Sequence, residues 1–251
     1  MASTGLLRRR GFGFLPPADF EGQTFAVRIG RGLRDPINGW LARQSLIGDD
    51  PFVDPSELPG LIELGSHWRT IRDELLPLLA EREKIPAFRD ISPDHQRIAT
   101  DTKWKSFFLE GYGFHAEENC ARCPETMALL RKVPGLVVAF FSIMEPGTQV
   151  PSHRGVTKAW YNCHLGLVVP EGKIGIEIAG RTVGWREGEW LVFDETNSHR
   201  VWNETDEARV VLFLQARRPM TWRGNLAAGA LFHMIRHSSF VQDVRRSLSA
   251  R

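Results

Sequence analysis

The chain has 251 residues, of which 32 are basic and 30 acidic, so its formal net charge is +2. A balance this close gives no support to nucleic-acid binding or to a strongly acidic partner. The length is sufficient for a full hydrophobic core, and all-β domains of this size often form one unit. We therefore expect one principal domain with extensions, and no nucleic-acid partner.

Cysteine content and the first residues bear on the cellular compartment. Three cysteines, at positions 120, 123 and 163, are an odd number and are not typical of a disulfide-stapled secreted domain. Met1–Arg10 ends in three arginines without an apolar segment behind them, which does not favour a signal peptide. We expect a cytoplasmic protein, with membrane contact through this basic N-terminus as the less favoured alternative.

The spacing of Cys120 and Cys123 is that of a CxxC motif. A zinc site would need a second pair of ligands, which Cys163 alone does not supply. We expect a structural or helix-capping role for the motif.

Both ends of the chain are predicted to be extensions. Residues 1–55 are rich in Gly, Pro and Asp and show no sustained period, which predicts an N-terminal extended arm with one short helix around residues 37–41. Residues 220–251 return to helical spacing, with apolar positions among the arginines, and predict one or two helices packed on the core. Residues 56–219 are left as the principal domain.

Helical and strand-like segments precede the centre of this domain. Apolar residues at helical spacing after Ser66 predict an amphipathic helix that bends near Pro77. The aromatic content of Trp104–Tyr112 is typical of a strand. Pro124, followed by an acidic residue, indicates the start of a second helix.

The residue pattern changes between residues 135 and 216, where short runs of β-favouring residues are separated by turn signals. The runs are 136–144, 164–169, 173–178, 189–193, 200–202 and 210–214. Regularly spaced short strands predict a mainly β barrel or jelly roll, and no alternation of strands with helices competes with it.

Two histidines, His153 and His199, each lie just outside a strand-like run. A barrel brings such distant side chains to one mouth, and neutral imidazoles bind Fe(II) or Zn(II). A non-haem Fe(II) oxygenase usually carries a carboxylate two positions after its first histidine, and here that position is Gly155. On spacing alone, a structural role for the pair is the more frequent interpretation.

Arg209 strengthens the metal hypothesis, because it begins an apolar strand where a buried guanidinium needs an anionic partner. His164 begins another apolar strand. A barrel that holds two imidazoles, a third histidine and a fixed arginine suits a small dianion that also binds iron. 2-Oxoglutarate fits this description, with its keto-acid end on the metal and its far carboxylate on Arg209.

Six motifs carry a family resemblance. They are Asn119–Thr126, Ser142–Gly147, His153–Gly155, His164–Pro170, Trp185–Gly188 and Phe193–His199. In order and spacing they resemble the aspartyl/asparaginyl β-hydroxylase family of Fe(II)- and 2-oxoglutarate-dependent dioxygenases, including its bacterial lipid A hydroxylase relatives. The resemblance extends roughly from Leu61 to Arg218.

The resemblance implies a double-stranded β-helix with a jelly-roll or cupin-like core and flanking α-helices. It also implies that His153 and His199 bind Fe(II), with water in the place of the usual carboxylate. Gly155 is then expected rather than damaging.

Further roles are implied for residues around the metal. Arg209 with Ser142 would hold the distal carboxylate of 2-oxoglutarate, and His164 would hold the carboxylate near the metal. Glu195 or Asp194 would orient metal-bound water.

The chain departs from the family pattern between the first two histidines. The family usually has a Pro-Thr-Asn or similar stretch there, and an arginine two positions before the second histidine. Here the chain has Val156–Lys158 and Asn162. One cationic contact is therefore missing or replaced by Lys158, and we expect specificity to be decided in residues 156–162.

The implied activity is hydroxylation of an unactivated C–H bond with O2, giving succinate and CO2 as co-products. The first substrate hypothesis is an amino-acid or peptidyl, Asp/Asn-like side chain, and the alternative is a fatty acyl chain of a lipid. A halogenase remains open because Gly155 leaves room for chloride. A non-catalytic cupin-like binding protein remains the rival class, although it need not keep Ser142 and Arg209 together with both metal histidines.

Overall fold

Two antiparallel sheets face each other and form the core of the protein. The structure is a computed structural model that describes residues 25–91 and 93–249. The strands are β1 Phe52–Val53, β2 Trp104–Gly111, β3 Phe114–His115, β4 Leu136–Met144, β5 Thr148–His153, β6 Trp160–Val168, β7 Ile174–Ile178, β8 Arg181–Val183, β9 Trp190–Phe193, β10 His199–Asn203 and β11 Arg209–Arg217. The seven-stranded sheet has the order β1-β9-β6-β11-β4-β2-β3, and the four-stranded sheet has the order β5-β10-β7-β8. The predicted mainly β, double-stranded β-helix is confirmed.

Seven α-helices in these described ranges flank the sheets. They are α1 Phe25–Ala42, α2 Leu61–Ser66, α3 Trp68–Ala80, α4 Glu117–Ala121, α5 Pro124–Leu130, α6 Trp222–Arg236 and α7 Ser239–Ser249. Of the helices described, none is long and apolar enough to cross a membrane.

The central strands of the larger sheet are buried on both faces. Eight of the nine residues of β4 are buried, and the same holds for β6. One face points into the barrel, and the other packs against α2, α3 and α5 in a single apolar cluster. Coverage on both sides explains why these strands are nearly continuous apolar runs in the sequence.

The sequence did not predict β5 or β8. Burial in β5 alternates, its exposed positions include Gln149 and Ser152, and it contains Pro151. A proline is tolerated there because β5 is an edge strand of the four-stranded sheet. β8 has three residues, none of them fully buried, so it carries no apolar signal.

The N-terminal segment differs from its prediction. Instead of an extended arm with one short helix, Phe25–Ala42 form an 18-residue helix that contains Pro36. The buried Asn38 side chain donates to the carbonyl of Val156 at 3.1 Å and accepts from the amide of Lys158 at 2.9 Å. This helix is therefore tied to the loop between β5 and β6. The predicted arm before residue 25, with its basic N-terminus, lies outside the described residues, and the domain boundaries stay predictions.

The CxxC motif joins α4 to α5, with Cys120 inside α4. Cys123 occupies the N-cap position of α5, is fully buried, and makes no capping hydrogen bond through its side chain. The cap comes instead from Glu74 of α3, whose carboxylate accepts from the amides of Glu125 and Thr126 at 2.8 Å each. It also accepts from the Thr126 hydroxyl at 2.6 Å. A carboxylate at this position satisfies helix amides and the helix dipole together.

Substitution Glu74→Ala should lower the free energy of unfolding by about 1–2 kcal/mol, because two helix amides and a buried hydroxyl lose their acceptor. Urea denaturation measures the change. The neighbouring exposed Asp73→Ala on the same helix is the control and should change stability by less than about 0.5 kcal/mol. Equal effects of the two substitutions would contradict the capping role.

Candidate metal and cosubstrate site

His153 and His199 lie side by side at one end of the barrel. His153 is the last residue of β5, His199 is the first residue of β10, and the antiparallel register places them directly opposite each other. Directly opposed residues point to the same face of a sheet. Their ring centroids are 4.1 Å apart, so the two predicted metal ligands are brought together.

Backbone carbonyls set the orientation of both rings. Nδ1 of His153 lies 2.8 Å from the carbonyl oxygen of Pro151, and Nδ1 of His199 lies 2.9 Å from that of Asn197. A carbonyl only accepts, so in each neutral ring Nδ1 carries the hydrogen and Nε2 keeps its lone pair. Both Nε2 atoms are left available as metal ligands.

Burial also keeps the pair uncharged. It lowers the pKa of His153, and together with the neighbouring His153 ring it lowers the pKa of His199 to about 4. Both imidazoles are therefore neutral at pH 7, as metal ligation requires. Within the described part of the chain, no three His, Cys, Asp or Glu side chains converge as a metal-binding group. The donor set that the structure assembles is two imidazoles, which suits Fe(II) or another divalent transition metal.

Gly155 leaves space that a neighbouring carboxyl group occupies. A Cβ atom at position 155 would lie 2.3 Å from both Cγ and Cδ of Glu195. The amide of Gly155 donates to the backbone carbonyl of Glu195 at 2.6 Å. The side chain of Glu195 therefore lies where the usual carboxylate at position 155 would begin.

Glu195 lines the same cavity as the two histidines. Burial raises the pKa of its carboxyl group to about 7, and Nε2 of Gln215 donates to it at 3.1 Å. Close to neutral pH this group is able both to accept and to donate a hydrogen bond. It is placed to contact a water in the position of the missing carboxylate.

Asp194 is not brought into the cavity. Its fully buried carboxylate accepts from Lys158 at 2.7 Å, from Arg218, and from the amide and hydroxyl of Thr196 at 2.9 and 2.6 Å. Burial alone would raise the pKa of this group, but the hydrogen bonds from Lys158 and Thr196 and the charge of Arg218 lower it overall. Lys158 is paired with Asp194 and also with Asp49 at 2.6 Å. The geometry gives both Asp194 and Lys158 a structural role.

Ser142, Arg209 and His164 meet on the inner face of the larger sheet. Strand β11 lies between β4 and β6. Arg209 is opposite Met144 on β4, next to Ser142, and His164 on β6 is opposite Phe213. Alternate residues of a strand share a face, so Arg209 and Phe213 point the same way. The three predicted cosubstrate residues are thus brought together.

Arg209 is a buried cation without an anionic partner in the part of the chain that the structure describes. The residue is 2% exposed, and Nε and Nη1 of its guanidinium make no hydrogen bond. Nη2 contacts the sulfur of Met144, and the guanidinium lies 4.3 Å from the ring centroid of Trp185. Burial lowers the pKa of Arg209 to about 9, so it remains charged at pH 7. Such a group needs an anion.

His164 adds a further unused donor. Its Nδ1 accepts from the indole nitrogen of Trp185 at 3.2 Å, so in the neutral ring the hydrogen is on Nε2. Burial, and then the charge of Arg209, hold the pKa of His164 well below its usual value. Nε2 is buried and has no partner among the described residues. Ser142 accepts from the indole nitrogen of Trp104 at 3.0 Å, which leaves its own proton to donate.

The cavity around these groups has a volume of about 740 Å³ and two distinct parts. The histidine pair, Arg209 and His164 line one part, and the other is lined mainly by apolar side chains from the sheet and the C-terminal helices, with a few polar side chains among them. The polar end provides two ring lone pairs and several buried N–H donors. This chemistry fits a divalent metal with a small dianionic ligand such as 2-oxoglutarate.

The sequence prediction missed the residues that orient the site. Trp104 and Trp185 hold Ser142 and His164 through indole hydrogen bonds, and Gln215 holds Glu195. Trp185 lies within one of the six motifs, which was a usable signal. Gln215 is a polar residue on an otherwise apolar inner strand, and such a residue is informative because a buried amide needs a partner.

Substitution Gly155→Ala should lower the free energy of unfolding by about 1–3 kcal/mol, because the new methyl group displaces the side chain of Glu195. Adding Glu195→Gly removes the clash. In a double-mutant cycle followed by urea denaturation, Gly155→Ala should then cost much less in the Glu195→Gly background. Strictly additive costs would show that Glu195 does not fill this space.

Comparison with known proteins gives one consistent result. The family model for aspartyl/asparaginyl beta-hydroxylase matches residues 65–219. The chain is 39% identical over 199 residues to the ornithine lipid ester-linked acyl 2-hydroxylase of Rhizobium tropici, a match that covers 78% of this chain and 71% of that protein.

More distant relatives are animal proteins. The chain is 31% identical over 161 residues to the human aspartyl/asparaginyl beta-hydroxylase, covering 62% of this chain and 21% of the human protein. It is 32% identical over 135 residues to human aspartate beta-hydroxylase domain-containing protein 2, covering 50% of this chain and 35% of that protein. This chain thus spans about a fifth of the length of the human hydroxylase that it matches.

Proposed function

This chain belongs to the aspartyl/asparaginyl β-hydroxylase family, and we propose that it is an Fe(II)- and 2-oxoglutarate-dependent dioxygenase. Membership supports a hydroxylase. The observation that carries the finer proposal is the set of buried donors without partners in the described structure: Nε and Nη1 of Arg209 and Nε2 of His164. These donors face the cavity that holds the histidine pair, and a dianion bound beside a metal would satisfy them.

The proposed roles are those that the family resemblance implies, and the position of each side chain supports them. His153 and His199 hold Fe(II) through Nε2. Arg209 pairs with the distal carboxylate of 2-oxoglutarate, and Ser142 donates its hydroxyl hydrogen to the same group. His164 donates from Nε2 to the carboxylate near the metal. When bound there, iron and 2-oxoglutarate would supply, with O2, the oxidant that converts C–H to C–OH, with succinate and CO2 as co-products.

The protein itself orients and shelters the reactants. Trp104 and Trp185 keep Ser142 and His164 in place through their indole hydrogen bonds, and aromatic side chains line the cavity around them. The carboxyl group of Glu195 would accept a hydrogen bond from a water bound in the place of the missing ligand. The carboxyl group of Glu195 also argues against a halogenase, because a chloride bound beside Gly155 would lie against it.

For the substrate class we favour the acyl chain over the peptidyl side chain that the sequence analysis placed first. The part of the cavity beyond the polar end is lined by apolar and aromatic residues, including Phe108, Val138, Phe140 and Trp160. Two side-chain amides also lie there, but most of the lining is hydrocarbon, which suits an acyl chain better than an Asp- or Asn-like side chain. The Rhizobium tropici relative, an acyl 2-hydroxylase by name, supports the same class. A cytoplasmic location stays a prediction of the sequence.

Substitution Arg209→Met should raise the stability of the ligand-free protein and abolish cosubstrate binding. At pH 7, below its folded-state pKa of about 9, the guanidinium is a buried charge, so its removal relieves a penalty of about 1–3 kcal/mol. The wild-type penalty should fade as the pH rises above 9. Urea denaturation measures the first effect, and calorimetric titration with 2-oxoglutarate in the presence of Mn(II) measures the second.

The exposed Arg200→Met, on β10 of the other sheet, is the matched control and should preserve 2-oxoglutarate binding. An Arg209→Met variant that still binds 2-oxoglutarate would refute the role assigned to this arginine.

Substitutions His153→Ala and His199→Ala should each weaken Mn(II) or Fe(II) binding by at least about a hundredfold, since only one imidazole remains. Electron paramagnetic resonance of titrated Mn(II) provides the measurement. The exposed His115→Ala, outside the barrel mouth, should bind metal like the wild type. Undiminished metal binding by either barrel variant would rule out the proposed iron site.

A further inference from the structure

The two sheets of the barrel differ in strand length. β4, β6 and β11 each have nine residues, whereas β5 has six and β7 and β10 have five each. At about 3.3 Å per residue, the longer strands extend roughly 10 Å beyond the shorter ones. Part of the inner face of the larger sheet is therefore not covered by the other sheet.

This uncovered face is mainly apolar, with one hydrogen-bonded pair of side-chain amides, from β6 and β11, among its residues. Phe108 is opposite Phe140, and Phe140 is opposite Phe213, so one row of aromatic residues crosses β2, β4 and β11. The rings of Phe140 and Phe213 stack at 4.5 Å. Val138, two residues before Phe140, lies on the same face of β4, and Trp160 lines the cavity from β6.

The C-terminal helices close the far end of this space. Ile235 at the end of α6 and Val241 and Val244 on α7 line the same cavity as His153 and Arg209. Val241 and Val244 are 4% and 6% exposed. We call the space between the aromatic row and these helices the apolar arm.

We propose that the apolar arm holds the acyl chain of the substrate and that Val241 and Val244 set the longest chain it accepts. This inference rests on the proposed acyl substrate and adds the residues that limit the length of its chain. The arm is continuous with the polar end of the cavity, so a chain lying along it would present a carbon near its head to the histidine pair. Its distal end would then meet α7.

The wall at this end is thin. Val241, together with Tyr112 and Phe114, also lines a second cavity of about 660 Å³. Tyr112 and Gly113 form the two-residue turn between β2 and β3, and both have positive φ angles, 50° and 73°. A turn with two such residues holds Tyr112 and Phe114 in position. A smaller residue at 241 should open the arm into the second cavity, and a larger one should shorten it.

Competition binding tests this proposal without iron or turnover. The metal-free protein is loaded with the fluorescent fatty acid cis-parinaric acid, which is displaced by N-acylglycines with chains of ten, fourteen and eighteen carbons. In the wild type, affinity should rise about threefold to fourfold per buried methylene until the arm is filled. Val241→Trp should weaken the eighteen-carbon ligand by about tenfold or more and leave the ten-carbon ligand within about twofold. Val241→Ala should strengthen binding of the longest chain.

The control is Arg246→Trp, an exposed position on the same helix whose side chain pairs with Asp243 at 2.6 Å. It adds the same side chain outside the cavity and should change none of the three affinities. Equal weakening of all chain lengths by Val241→Trp, or no weakening, would overturn the proposal. If Val241→Trp fails to fold by near-ultraviolet circular dichroism, Val244→Phe and Val241→Ala carry the test in opposite directions.

The outcome is separable from the proposed cofactor chemistry. Failure of the wild type to bind cis-parinaric acid, with intact 2-oxoglutarate binding, would refute the acyl arm alone. Chain-length selectivity without 2-oxoglutarate binding would refute the dioxygenase proposal and would still support the role of the apolar arm.

Discussion

The charge of Arg209 is the constraint around which the interior is arranged. A guanidinium buried in a wall of apolar strands, with no carboxylate beside it in the described structure, disfavours the folded state. Nine-residue strands flank β11 on both sides, and the first residue of β11 is paired with Met144 of β4. Arg209 thus lowers the stability of the ligand-free protein while it favours ligand binding. An anion that pairs with this arginine would remove the cost of the unpaired charge and so stabilise the folded state.

The fold could be predicted where burial leaves a direct mark on the sequence. β4, β6 and β11 are covered on both faces and read as apolar runs, so their positions were recognised. β5 was missed because only one of its faces is buried and because an edge strand can include Pro151. The length of α1 was underestimated since Pro36 interrupts its pattern, and the contact that anchors it, from Asn38 to the loop after β5, joins residues far apart in the chain.

The site could be predicted in its residue types, and less well in its geometry. The two histidines, the arginine and the serine were identified from motifs, but their convergence depends on strand register, which is a long-range property. Asp194 and Glu195 could not be told apart from the sequence. They are neighbours at the end of β9, and neighbouring side chains there point in different directions. Asp194 forms a buried ion pair with Arg218, and Glu195 faces the cavity.

The rings of His153 and His199 are each oriented by a carbonyl only two residues earlier in the chain. The orientation of both rings is therefore set locally, by the backbone of the segment that carries each histidine. It does not depend on the side chains that line the cavity. The metal-binding function and the substrate-binding walls are in this sense separate modules. Substitutions that reshape the walls can accumulate, and the barrel can acquire new substrates, while the two imidazoles keep the same geometry.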